Sequence, residues 1–143
     1  MRVCGHSMSP ALSPGDVVLV RPLSGAEPMP GRGRLVVARP AELEVQTFIK
    51  RVVGCPGETV HSSDKAWKLG EEECFLMGDN AGLSIDSRIF GPMGRQELLG
   101  LVIARLWPLK ALSKEWVIDG SVVSVSSPEI EVPVETPLVE AVR

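Results

Sequence analysis

The chain has 143 residues, 44% of them hydrophobic and 23% charged, which is enough apolar material for one domain with a buried core. Its formal net charge of -3 argues against a protein that grips nucleic acid through a basic surface. The three cysteines, Cys4, Cys55 and Cys74, are odd in number and carry no zinc spacing, so a disulfide framework is not expected. Free buried thiols are the expected state, with a single Cys55–Cys74 bridge as the alternative.

Taken in chain order, the chain opens with GHSMSPALSPGD (5–16), a turn-rich run with no helical pattern. DVVLVRP (16–22) follows the Ser13-Pro14-Gly15 turn and reads as a strand, because β-branched residues fit a pleated surface. GAEPMPGRGR (25–34) is a Gly/Pro-rich loop. RLVVARP (34–40) and VQTFIKRVVG (45–54) are the next strands, the second closed by Pro56-Gly57. Thr59–His61 and Ala66–Leu69 form a hairpin around Ser62-Ser63-Asp64, and ECFLMG (73–78) is a further strand. GRQELLG (94–100) holds one helical turn, and LVIARLWP (101–108) is a strand. The apolar run LLGLVIARLWPL (98–109) is broken by Arg105 and Pro108, short of the roughly 18 residues a membrane helix needs. Met1–Ser7 is too short for a secretory signal. Many short strands divided by turns predict a mainly β fold, an all-β barrel or sandwich-like sheet, over residues 1–112. Beyond that boundary, 113–143 carries prolines among alternating valines and reads as an edge strand or a mobile tail.

Chemistry concentrates in three stretches. Ser7 becomes a nucleophile only if a base takes its proton. His6 is its neighbour and faces the other way on extended chain, and His61 has no evident carboxylate beside it, so a Ser-His-Asp triad is poorly supported. A lysine serves as base only when uncharged, which demands burial. In TFIKRVVG, Phe48 and Val52 share the face of Lys50 and would desolvate it; the alternative is a lysine that guards an edge strand. In MGDNAGLSIDSRIFGP (77–92), Asp86 and Arg88 share a face with Ser84 and can form an ion pair, worth roughly 0–1 kcal/mol at a surface.

Together the three stretches resemble the type I signal peptidase family, serine proteases with a serine–lysine dyad. The family pattern G-x-S-M-x-P-T-L followed by P-G-D is matched by GHSMSPALSPGDVVLV, with Ala11 in place of the usual threonine. K-R-V-x-G-x-P-G-D/E is matched by KRVVGCPGE (50–58), and G-D-N-x-x-x-S-x-D-S-R-x-F-G-P by GDNAGLSIDSRIFGP (78–92). The blocks occur in the family's order, within a resemblance running from Val3 to Pro108. It implies that Ser7 is the nucleophile and Lys50 the general base, that Ser84 orients the lysine amine, and that Asp79, Asp86 and Arg88 support the site by fixing its loop. Met8 is implied to pack near the dyad. The implied fold is a β-rich catalytic domain of antiparallel sheets, the implied substrate an extended precursor peptide with small residues before the cleaved bond, and no cofactor or metal is required.

The chain also departs from the family. Some members place a serine two positions before the nucleophile as an oxyanion donor; Gly5 stands there. Larger members insert a second domain between the second and third blocks, whereas only Thr59–Met77 fill that gap here. The size matches compact relatives such as the mitochondrial inner-membrane peptidases. Many members carry membrane helices ahead of the nucleophile block, and six residues precede Ser7 here. The resemblance therefore implies an extracytoplasmic, membrane-associated enzyme anchored through a segment absent from this sequence. The alternatives are a soluble cytoplasmic maturation protease of the nickel-type superoxide dismutase kind, or a non-catalytic binding module of the same fold. A self-cleaving regulator like the SOS repressors fits less well, since no cleavable segment precedes Ser7.

Overall fold

The computed structural model describes residues 1–42 and 46–108, together with the strand at Val123–Ser126. The strands are β1 (Val17–Pro22), β2 (Leu35–Ala38), β3 (Phe48–Gly54), β4 (Thr59–Ser62), β5 (Lys65–Lys68), β6 (Glu73–Met77), β7 (Met93–Gly94), β8 (Leu98–Trp107) and β9 (Val123–Ser126). A six-stranded sheet runs β1-β8-β2-β3-β6-β7 and a three-stranded sheet runs β5-β4-β9, with every pairing antiparallel. The fold is mainly antiparallel β, as expected.

The large sheet is buried on both faces at its centre. All four residues of β2 and six of the seven in β3 are buried, which is why both read as near-continuous apolar runs rather than as alternation. Leu35, Val37 and Ile49 pack with Val3, Met8, Leu12, Val18 and Val102 on one side. Val36, Ala38 and Val52 pack with Cys74, Leu76, Met93, Leu98 and Leu101 on the other. Val53, Val60, Leu69, Phe75 and Met77 join the small sheet to the large one, with Trp67 and Phe75 ring centroids 4.9 Å apart. Burying a side chain of this kind contributes roughly 1.5–3 kcal/mol, so these clusters hold the sheets together.

Several expectations are adjusted. β3 begins at Phe48 rather than residue 45, and Val45 lies outside the described residues. It is an interior strand between β2 and β6, so the edge-strand reading of Lys50 fails. The helical turn anticipated over 94–100 is a 3-10 turn at Arg95–Glu97, and β8 starts three residues earlier than read, at Leu98. The Cys55–Cys74 bridge is not formed and all three cysteines are free, but only Cys74 is buried as expected; Cys55 is half-buried and Cys4 is exposed. Burial pushes the Cys74 thiol up to about 12. Of the segment 113–143, Val123–Ser126 pairs with β4 at the edge of the small sheet. The rest of that segment, and its boundary at 112, lie outside the described residues. No helix among the described residues is long and apolar enough to cross a membrane.

Candidate active site

Ser7 sits on a turn held from below. Met8 and Leu12 plug into the core beneath it, at 2% and 0% exposure, and the Leu12 amide donates to Met8 O at 2.9 Å. Gly5 has φ +80°, a left-handed conformation that costs glycine nothing and lets the chain reverse just ahead of the serine. The Pro-Gly-Asp turn is pinned through Asp16: Oδ2 accepts from the Ser13 amide at 3.0 Å and from Arg105 Nη1 at 3.2 Å. Arg105 also donates to Ala11 O at 3.1 Å, so β8 braces the far end of the loop.

Lys50 projects from the middle of β3 to within 2.9 Å of Ser7 Oγ, across 43 residues of sequence. The residue is 4% exposed, and Nζ lies 5.2 Å from the Phe48 ring centroid. The alternation that puts Phe48, Lys50 and Val52 on one face thus shields the amine. Burial lowers the Lys50 pKa to about 8; the nearby Asp86 carboxylate opposes the shift and Arg88 assists it. A cleft of about 170 Å³ opens at the pair, lined among others by Arg2, Cys4, Met8, Thr47, Phe48 and Ile49. His6 and His61 are both exposed, and neither bonds Ser7.

The third block wraps the other side of the pair. A Cβ on Gly78 would lie 2.2 Å from Ser84 Oγ and 2.6 Å from Ser7 O, so only glycine lets the two loops meet here. Asp86 is buried, not superficial. It caps the short helix α1 (Ser87–Phe90) through the Arg88 amide, and its Oδ2 accepts from the Gly78 amide at 3.0 Å and from Ser84 Oγ at 2.7 Å. Arg88 bonds Asp86 Oδ1 through Nε at 2.9 Å and ties Ala81 O through Nη2 at 2.8 Å. Ser84 therefore spends its proton on Asp86, and its oxygen is left to accept. Asp79 is engaged by Arg51: Nε to Oδ1 at 2.8 Å and Nη2 to Oδ2 at 2.7 Å, fully inside the protein.

Two residues here escaped the reading of the sequence. Arg51, next to Lys50, is 1% exposed and clamps Asp79; the adjacent Lys-Arg pair on an apolar strand was the available signal. Asn80 donates its backbone N–H to Ser7 O at 2.8 Å and its side-chain amide to His6 O at 3.2 Å. Its place in Gly-Asp-Asn, a turn sequence, disguised this. Among the described residues no cluster of His, Cys, Asp or Glu could hold a metal ion.

The sequence profile of the family described as signal peptidase, peptidase S26, matches residues 1–68 and 61–107. Signal peptidase I of Leptolyngbya laminosa is 30% identical over 139 residues, covering 76% of this chain and 68% of that protein. Mitochondrial inner membrane protease subunit 1 of Schizosaccharomyces pombe is 37% identical over 111 residues, covering 73% and 70%. The mitochondrial ATP-independent inner membrane protease subunit 1b of Arabidopsis thaliana is 36% identical over 115 residues, covering 74% and 68%. With its three sequence blocks folded onto one another and its profile matched over most of its length, this chain belongs to the signal peptidase family and is a peptidase.

Proposed function

We propose that the chain is a serine endopeptidase in which Ser7 is the nucleophile and Lys50 the general base, and that it cleaves leader peptides from precursor proteins after small residues. The observation that carries this is the 2.9 Å separation of Lys50 Nζ from Ser7 Oγ inside a shielded site. A pKa of about 8 leaves about a tenth of the amines uncharged at neutral pH, enough for a working base. In the uncharged state the Ser7 hydroxyl donates to the lysine lone pair.

The chemistry follows. Ser7 Oγ bonds to the scissile carbonyl carbon as its proton passes to Lys50 Nζ, and the carbonyl π pair moves onto oxygen. The Ser7 backbone N–H is the first donor to that oxyanion. Collapse expels the amine, which takes the proton from Lys50, and leaves an acyl-serine. Water, deprotonated by the now uncharged Lys50 Nζ, attacks the ester; collapse breaks the bond to Ser7 Oγ, which takes that proton from Lys50, and the acid is released. Asp86 keeps the Gly78–Arg88 loop closed over the site, and Asp79, Ser84 and Arg88 hold that loop in shape.

The substrate reading rests on the cleft and on the relatives. An extended peptide can lie along the cleft between the Arg2–Cys4 and Thr47–Lys50 segments, with main-chain pairing for affinity and a shallow recess for side chains. The names of the relatives, signal peptidase I and inner membrane protease, support a leader-peptide substrate and a membrane-associated setting. None of the three is a superoxide dismutase maturation protease, and the short Ser7–Lys50 distance weighs against a module that has lost catalysis. The test is hydrolysis of a peptide carrying Ala-x-Ala before the expected cut. Ser7→Ala and Lys50→Ala should each lower kcat/KM by at least about 10³-fold. Cleavage that survives either substitution would reject the dyad.

A further inference from the structure

We propose that the Asn80 side chain is a positioning residue that aims the oxyanion-binding N–H of Ser7; the inference rests on the Ser7–Lys50 reading above. The His6 carbonyl and the Ser7 N–H belong to one planar trans peptide unit, so they point in opposite directions and turn together. Whatever fixes the His6 oxygen also fixes the direction of the Ser7 N–H.

That oxygen is held by two donors. Asn80 Nδ2 donates to it at 3.2 Å, and the Ser9 amide donates to it at 3.1 Å. The peptide unit on the other side of Ser7 is fixed as well, since Ser7 O accepts from the Asn80 amide at 2.8 Å. The Ser7 N–H itself meets no acceptor among the described residues. A backbone donor held in place yet left open beside a nucleophile is the arrangement an oxyanion requires. Gly5, two positions before Ser7, supplies no side-chain donor of its own.

A purely structural clamp and an aiming device make different predictions. Asn80→Ala removes the side-chain donor and keeps the backbone bond to Ser7 O. Deleting an oxyanion donor outright costs about 10²–10³-fold in kcat. Because Ser9 still holds the His6 oxygen, Asn80→Ala should lower kcat roughly 10- to 100-fold with KM little changed.

The discriminating probe is a pair of matched peptides ending in an aldehyde or in the corresponding alcohol. Ser7 Oγ adds to the aldehyde carbon, its proton passes to Lys50, and the carbonyl pair becomes an oxyanion facing the Ser7 N–H. The alcohol binds without forming a bond. Asn80→Ala should weaken the aldehyde by the same factor as kcat and leave alcohol affinity at the wild-type level. Asn80→Asp, which keeps the shape but presents an acceptor to the His6 oxygen, should lose at least as much, and it carries the test if the alanine variant fails to fold. Wild-type aldehyde affinity in a folded Asn80 variant, or equal weakening of aldehyde and alcohol, would overturn the assignment. Either result leaves the dyad reading standing, since that reading is tested separately by the activity of Ser7→Ala and Lys50→Ala.

Discussion

Lys50 and Arg51 are neighbours on one interior strand, both cationic and both buried, at 4% and 1% exposure, yet the protein treats them in opposite ways. Strand alternation sends them to opposite faces. Arg51 meets a bidentate carboxylate in Asp79 and a backbone oxygen in Gly33, so its charge is compensated where it lies. Lys50 meets an aromatic face and a serine hydroxyl but makes no ion pair among the described residues. Asp86, whose charge opposes the shift, already spends its oxygens on Arg88, Ser84 and the Gly78 amide. Burial with a partner gives a fixed structural cation. Burial without one gives an amine that releases its proton near neutral pH. The same desolvation cost is satisfied on one face of β3 and left outstanding on the other, and an outstanding cost is what the proposed role of Lys50 as a base requires.

The contrast can be broken most forcefully at Arg51. Arg51→Met leaves Asp79 charged and without its guanidinium inside the protein, and removing one partner of a buried pair costs about 3–5 kcal/mol. Thermal or urea unfolding should register that loss, while the double variant Arg51→Met/Asp79→Leu should recover most of it. A single variant as stable as wild type would mean that the pair contributes nothing to holding the loop.

On the other face the sign reverses. Lys50→Met should abolish cleavage and raise stability by on the order of 2–3 kcal/mol at pH 7, because a thioether carries no charge to desolvate. The pH dependence follows from the lowered pKa. Below about 8 the amine is charged in the folded and the unfolded chain, and the folded state bears the full penalty. Between about 8 and the ordinary value of 10.5 only the unfolded chain keeps the proton, so the wild type gains stability as pH rises. The gap between wild type and Lys50→Met should therefore narrow across that window in unfolding curves. A gap that widens there would contradict the assignment of the shift to burial.

The legible parts of the molecule are those where one local pattern sufficed. Valine-rich runs bounded by Pro and Gly located the strands to within a few residues, and the motif blocks singled out Lys50, whose Nζ lies 2.9 Å from Ser7 Oγ. The loop chemistry was less legible. Asp86 and Arg88 are two residues apart and read as an ion pair of surface strength, but Asp86 caps a helical turn and is buried, accepting from Ser84 Oγ. Two features depended on long-range packing and left little trace in local pattern. Arg51 became structural only because β3 runs against the Gly78–Asn80 turn, 28 residues from Arg51 to Asp79. Asn80 reaches His6 across 74 residues, a contact that turn propensity cannot suggest.

The central claim is tested most directly by titrating Lys50 itself. In protein carrying 13C-labelled lysine, the Lys50 Cε resonance, assigned by its loss in Lys50→Arg, should shift with a midpoint of about 8, and kcat/KM should rise through the same pH. A midpoint near 10.5, the value of a lysine in water, would leave Ser7 without a base at neutral pH and contradict the account.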